Sequence, residues 1–343
     1  MRATDVILRS LRRGECALAV AIASAALPLA ALAADPAPVS FSHKDWALQC
    51  DNTRACSAVG YQAENGDSEP VSMRLTRAAG PATAVRVDLQ VYTEKANPAA
   101  LQITAGKFRL SGLDGNSPQV PASQVPRLLQ ELLRSEEPTV TAAKDRWVLS
   151  LAGASAVLLK MDEVQGRLNT PGALVRKGTQ PESAVPPAVP APVVKSVKPA
   201  PARKGDAALA GPLLAAVGRA DLEGQCNGGL PDASYVKVHR LTERKLLLEV
   251  PCGMGAYNFS SLLFMANDRP PYQPRLLEDV DGELDPATGE VRSAMKGRGI
   301  GDCWWVRTWQ FDGKGFALTG EQGDSMCRGF PGGAWQLPAY VTR

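Results

Sequence analysis

Histidine occurs only twice in the 343-residue chain, at His43 and His239. Imidazole is the usual general base and zinc ligand near neutral pH, so its scarcity excludes most two-histidine metal centres and histidine-based triads. The chain also lacks a Gly-x-Ser-x-Gly elbow, a His-Glu-x-x-His helix and a Walker loop, the compact motifs of acyl transfer, zinc proteolysis and nucleotide hydrolysis. No Cys-x-x-Cys is present, which removes a thioredoxin-like redox pair and a zinc knuckle. Beyond the amino-terminal leader no apolar run is long enough to cross a bilayer. The formal net charge is only +3, and the leader and a central segment carry that excess. A basic footprint for nucleic acid is therefore missing. Nothing in the sequence implies a cofactor.

What is present begins with an export signal. Arg2, Arg9, Arg12 and Arg13 precede an apolar run from Cys16 to Ala33 that ends in the small-x-small pattern Ala31-Leu32-Ala33. Residues 1–33 are predicted to be a cleaved Sec-type signal peptide, leaving a periplasmic chain with no membrane span. Cys16 leaves with it, and Cys50, Cys56, Cys226, Cys252, Cys303 and Cys327 remain. An even set of cysteines in an exported protein implies disulfides. If the central segment separates two bodies, Cys50 pairs with Cys56. The other four can pair in more than one way; Cys226–Cys252 with Cys303–Cys327 is favoured because each then closes a local loop, stabilising by about 3 kcal/mol if unstrained.

The central segment is residues 181–204, rich in Pro, Ala and Lys, with no aromatic residue and no glycine. Proline cannot donate to a hydrogen-bond ladder, so extended polyproline II is expected, reaching about 70 Å if fully drawn out. It divides the chain into a body at 34–180 and another at 205–343. In the first, alternation predicts strands around Trp46–Cys50, Cys56–Tyr61, Val71–Arg77 and Thr83–Val91. A helix follows with Val125, Leu128, Leu129, Leu132 and Leu133 in one stripe and Ser123 as cap, and a second spans Ser155–Gln165, stopped at Gly166. The second body reads as a short helix near Pro212 followed by strands. The expected fold class is α+β: two mainly antiparallel β domains with a few short helices, pinned by disulfides.

Three stretches then carry a resemblance. They are Asp45-Trp-x-x-x-Cys50-Asp-Asn-x-x-x-Cys56; Met161-Asp-Glu-x-Gln-Gly-Arg167 with Pro171-Gly-Ala-Leu-Val-Arg-Lys-Gly178; and Lys296-Gly-Arg-Gly-x-Gly-Asp-Cys303 with Trp309-x-Phe-Asp-Gly313 and Cys327-Arg-Gly329. Together they resemble a family of exported proteins of Gram-negative bacteria catalogued as a domain of unknown function. The resemblance implies a periplasmic location and no activity. The opening hairpin is also similar to the invasion-associated locus B proteins, over the first few dozen mature residues.

Candidate chemistry is sparse. Asp279 and Glu290 have the first-to-last spacing of a calcium loop with Asp281 between them, but Leu284 stands where glycine makes the sharp turn and Pro286 intrudes. Gly297–Gly301 reads as a tightly bent entry to the Cys303 strand. In strand phase Trp305, Arg307, Trp309 and Phe311 share one face, expected to be core. That leaves Trp304 exposed or at an interface near Arg298 and Asp302, and Arg307 in need of a partner. Arg298, Asp302, Trp304 and Arg307 are the candidate contacts for a ligand or partner. The expectation is a non-catalytic periplasmic protein binding an envelope component or an unknown periplasmic protein. The alternatives are a cell-wall hydrolase using acids between Glu278 and Glu290, and a lysozyme-type enzyme inhibitor.

Overall fold

Alternating apolar residues in the first half build two antiparallel sheets. A computed structural model describes residues 37–94, 100–134, 137–218, 222–223, 225–226 and 231–343; the expected signal peptide and its cut lie outside them. Strands β1 (Val39–His43), β2 (Trp46–Cys50), β3 (Cys56–Tyr61), β4 (Val71–Arg77) and β5 (Val85–Val91) form a meander in chain order. Strands β6 (Leu101–Ala105), β7 (Phe108–Leu113), β8 (Thr139–Ala142) and β9 (Asp145–Val148) form a second sheet in the order β7-β6-β8-β9. Their inward residues, among them Trp46, Met73, Leu89, Ile103 and Phe108, share one core with helices α1 (Val125–Leu132) and α2 (Ala154–Val164). The stripe predicted for α1 is the one that packs, with Val125, Leu128 and Leu132 buried. Its cap is not Ser123 but Gln124, whose side chain makes no capping bond, because Pro126 supplies the preformed first turn instead.

The second half begins with α3 (Ala210–Val217), followed by β10 (Lys237–Arg240), β11 (Lys245–Met254), β12 (Phe259–Asn267) and β13 (Arg275–Asp281) in sequential order. The last sheet contains β14 (Glu283–Asp285), β15 (Glu290–Lys296), β16 (Trp304–Phe311), β17 (Phe316–Gly323) and β18 (Leu337–Val341), again sequential. Leu246, Leu248 and Val250 on one face of β11 pack on Leu213 and Val217 of α3. Leu247 on the other face packs, with Leu263, on Val291, Trp309 and Phe311. Strand alternation thus serves two cores, one against a helix and one between stacked sheets. The fold is β-rich and antiparallel, and the bonded cysteines are Cys50–Cys56, Cys226–Cys252 and Cys303–Cys327.

The resembling stretches are largely scaffold. Asp51 accepts the Thr53 and Ala55 N–H groups and so shapes the turn that the Cys50–Cys56 bond closes. Beside it, buried Asn52 accepts from the Val341 N–H at 2.8 Å and donates to the Val341 carbonyl at 3.0 Å. In the α2 stretch, Asp162 accepts from the Leu174 and Val175 N–H groups. Gln165 donates to the Arg77 carbonyl, and fully buried Arg167 donates to the Gly80 carbonyl and the Thr83 hydroxyl. Burial pushes the Asp162 carboxyl up despite those N–H donors.

Residues 181–204 are extended for most of their length, as proline content demands, and although many of them are exposed the segment is tied at intervals to the neighbouring strands and turns. Glu182 accepts from the Gly172 N–H at 2.6 Å and faces Arg167 at 3.6 Å. Val185 is buried. Val189 donates to the Thr53 carbonyl, Val197 to the Phe311 carbonyl and Ala200 to the Leu241 carbonyl, while Pro192 accepts from Arg343. A segment that cannot form its own ladder satisfies its backbone on the strands and turns beside it. Residues Asp35–Arg343 consequently form one compact unit. Further ties join the halves: Arg328 pairs with Asp45 at 3.1 Å, and Tyr61 packs with Phe330 and Leu337.

Two outcomes follow. Val197→Asp places a charge against the sheet-to-sheet core and should lower unfolding free energy in urea by about 2 kcal/mol; a solvated segment would show no change. Asp206, just after the segment, accepts both prongs of Arg240 and the Arg203 N–H. The Arg240 bond is the largest influence; it outweighs desolvation and holds the carboxyl below its usual range. Its stabilisation is complete above the unfolded value of about 4 and is lost as pH falls through the depressed folded value. Thermal melts from about pH 5 to pH 2 should show a steeper decline in the native protein than in Asp206→Asn.

Candidate functional site

β15 and β16 run without slippage, Met295 opposite Trp305 and Lys296 opposite Trp304. Trp305, Arg307, Trp309 and Phe311 therefore share a face as alternation requires, yet only Trp309 and Phe311 are covered, by Leu247 and Leu263 of the neighbouring sheet. That cover ends before Trp305, which is 50% exposed. The expectation that Trp304 is the exposed tryptophan is thus corrected. Its indole N–H donates to the Gly301 carbonyl at 2.8 Å, and it is partly covered. Arg307 lies at the surface and pairs with Glu321 at 3.2 Å, so it is not a buried charge.

Two buried carboxylates hold this end of the sheet. Asp302 accepts from Arg298 Nε at 2.9 Å and from the Gly329 N–H at 2.7 Å. Burial raises its pKa, but these donors outweigh burial and hold it below the usual range. Asp324 accepts from the Trp304 N–H at 3.1 Å and the Trp335 N–H at 3.0 Å. Here burial dominates and the carboxyl is pushed up, with the negative charge of Asp302 adding to the effect. Both groups are inaccessible and occupied by donors, so they tie loops down and have no capacity for acid–base chemistry on a substrate. The turn between them and β15 is tight: a Cβ on Gly297 would lie 2.6 Å from Cys303 Sγ.

Exposed apolar side chains lie around this frame. Asn258, at the β11–β12 hairpin tip, accepts from the Lys296 N–H at 2.7 Å and donates to its carbonyl at 3.0 Å. Lys296 Nζ sits 5.1 Å from the Tyr257 ring and 5.8 Å from the Trp304 ring, each a cation–π distance. A Cβ on Gly299 would meet the Tyr257 hydroxyl at 3.1 Å. Met254, Tyr257 and Phe259 of the hairpin, Ile300 of the turn, and Met295 and Trp305 of the sheet are all exposed, Phe259 at 78%. A cleft of about 330 Å³ beside Trp305 opens between β1–β2 and β17–β18, bordered by Phe41, Gln49, Glu321 and Ser325. The hairpin aromatics escaped the sequence reading; the signal was a tip written Gly-Met-Gly-Ala-Tyr-Asn-Phe259 where polar turn residues are usual.

The acidic stretch is elsewhere. Glu290 pairs with Gln310, at the opposite end of the ladder from Lys296 and Trp304, about 20 Å away at strand spacing. Asp281 is taken by the Ser293 hydroxyl. Asp279, Asp281 and Glu290 do not form a cluster. Among the described residues, the one group of three close potential metal ligands is Asp302, Cys303 and Cys327. Its sulfurs are joined in a disulfide and its carboxylate is held by Arg298. His239 Nε2 lies 3.4 Å from buried Glu249, and His239 is in no group of three close potential metal ligands among the described residues.

Fold and site together define a β-rich, disulfide-bonded protein with exposed apolar side chains near one end of its last sheet. The chain belongs to the family described as "Protein of unknown function (DUF1176)", matching over residues 40–343. It is 28% identical over 353 aligned positions to "Uncharacterized protein YpfG" of Escherichia coli K12, spanning 93% of this chain and 97% of that protein. Invasion-associated protein B from Bartonella henselae aligns with a TM-score of 0.29 and 14% identity, covering 37% of this chain and 99% of its own.

Asp302→Ala should cost about 2–3 kcal/mol, because it leaves the Arg298 and Gly329 donors without their acceptor. Arg307→Ala, which breaks an exposed pair, should stay within about 0.5 kcal/mol. Denaturant titrations of the two variants check both values.

Proposed function

We propose that this is an exported periplasmic protein without catalytic activity, and that it binds a protein partner through the surface carrying Tyr257, Phe259, Ile300 and Trp305. The observation behind the reading is the number of large exposed apolar side chains on the β11–β12 hairpin, the turn at Ile300 and the adjoining ends of β15 and β16. Such clusters rimmed by polar groups are typical of docking sites, and aromatic residues dominate their binding energy. Lys296, Arg298 and Arg307 supply the polar rim. Export is supported by the basic leader, the apolar run and Ala31-Leu32-Ala33, and by three disulfides, which persist in oxidising compartments. The halves on either side of 181–204 act as two lobes, the first a support and the second the bearer of the docking surface.

The test is site-specific photocrosslinking in intact cells from positions 259 and 305, with position 109, exposed on β7 of the first half, as control. A discrete adduct from 259 and 305, lost when Met254→Asp is added while the melting temperature is retained, supports the assignment. Adducts that are absent, or indifferent to Met254→Asp, refute it.

A further inference from the structure

A second surface lies wholly in the first half of the chain, remote in sequence from the Trp305 region. Between α1, the start of β5 and the loop after α2 runs a groove of about 820 Å³, within the range of about 300–1,000 Å³ usual for small-molecule sites. Its floor is the outer margin of the first core: Val85, Leu129, Leu133 and Val175 are packed against that core yet only partly covered. A helix stripe as wide as that of α1 normally buries all of its apolar members. Here Leu129 and Leu133 are left facing a channel instead of a neighbouring element.

The charge around that floor has one sign. Arg77, Arg134 and Lys177 line the groove, and no carboxylate does so among the described residues. Two acids act on Arg77 from outside the lining, Asp162, which accepts from the Leu174 and Val175 N–H groups, and Glu182, which accepts from the Gly172 N–H and faces Arg167. Arg77 is largely buried, with Nε and Nη1 donating to the Thr83 and Gly172 carbonyls. Desolvation and the neighbouring Arg167 cation lower its pKa to about 10, with Asp162 and Glu182 offsetting part of that fall. An apolar channel whose lining charges are all cationic complements a molecule that joins a hydrocarbon chain to a single negative head.

We infer that this groove is a binding site for a single-chain fatty acyl carboxylate, the hydrocarbon lying along Leu129, Leu133 and Val85 and the carboxylate meeting Arg77, Arg134 or Lys177. The site is independent of the Trp305 surface and does not rest on the docking reading above. No bond is made or broken; the ligand is held or carried.

The measurement is a fluorescence titration of the mature protein with dansylundecanoate, followed by displacement with palmitate. Saturable enhancement reversed by palmitate is expected. Arg134→Glu combined with Lys177→Glu, both at exposed positions, should weaken binding about tenfold or more with the melting temperature retained. Leu129→Gln should weaken it through the floor. Arg307→Ala should leave it unchanged. Failure of dansylundecanoate to bind, displacement by neutral octyl glucoside as readily as by palmitate, or displacement by hexaglutamate in place of palmitate would each overturn the assignment. Insensitivity to the charge reversals would do the same.

Discussion

The amide of Asn52 is bonded through both its oxygen and its nitrogen to the backbone of Val341, and much of the architecture depends on that bridge. It imitates a peptide group and so extends strand pairing from the first hairpin to the last strand of the chain. The hairpin can present it because Asp51 shapes the turn and the Cys50–Cys56 bond closes it. Once β18 is fixed, Arg328 reaches Asp45, Phe330 meets Tyr61, and Trp335 donates to the Ser72 hydroxyl. The proline-rich segment then lies along both halves, its carbonyl at Pro192 accepting from Arg343. Buried polar bonds of this kind add modest net stability each, but leaving one unmade is costly, which makes the arrangement specific.

Buried acids recur as loop anchors. Asp162 gathers the N–H groups of the loop after α2, Asp206 clamps Arg240, Asp302 holds Arg298 and Gly329, and Asp324 holds Trp304 and Trp335. Each replaces a regular ladder where the chain leaves a strand or helix, and each is spent in doing so. Carboxylates near aromatic residues suggest chemistry when seen in a sequence. In the fold their oxygens are filled by backbone donors, and the chemistry left to the molecule lies in its exposed surfaces.

Those surfaces differ in kind. The one around Trp305 and Phe259 is aromatic with a basic rim; the groove along α1 is recessed, aliphatic and cationic. Exposed aromatic side chains suit another folded protein, whereas a recessed aliphatic channel suits a small amphiphile. The stacked sheets of the second half leave the first surface bare because their overlap stops at Trp309, and the short α1 leaves the second bare because, among the described residues, no element crosses its outer edge.

Much of the local structure was legible in the sequence. Period-two alternation marks β2 to β5 and β15 to β17, the leucine stripe marks α1, Gly166 marks the end of α2, and the closely spaced cysteines favour the pairs that the fold brings together. These features follow from neighbouring residues, whose geometry is set by backbone sterics and side-chain periodicity. The cover over each strand face was not legible. Alternation places Trp305 and Trp309 on one side, but only the stacking of a second sheet decides that Trp309 is core and Trp305 is surface. Proline content dictates that residues 181–204 are extended, while their docking depends on acceptors at Thr53, Leu241 and Phe311 that lie far away in the chain. The sequence by itself therefore determined the longer alternating strands, the helices, the favoured bridges between nearby cysteines and the lack of compact catalytic motifs. Tertiary structure alone decided which faces meet water, because burial is a property of what packs against a residue and not of the residue's own neighbours in sequence.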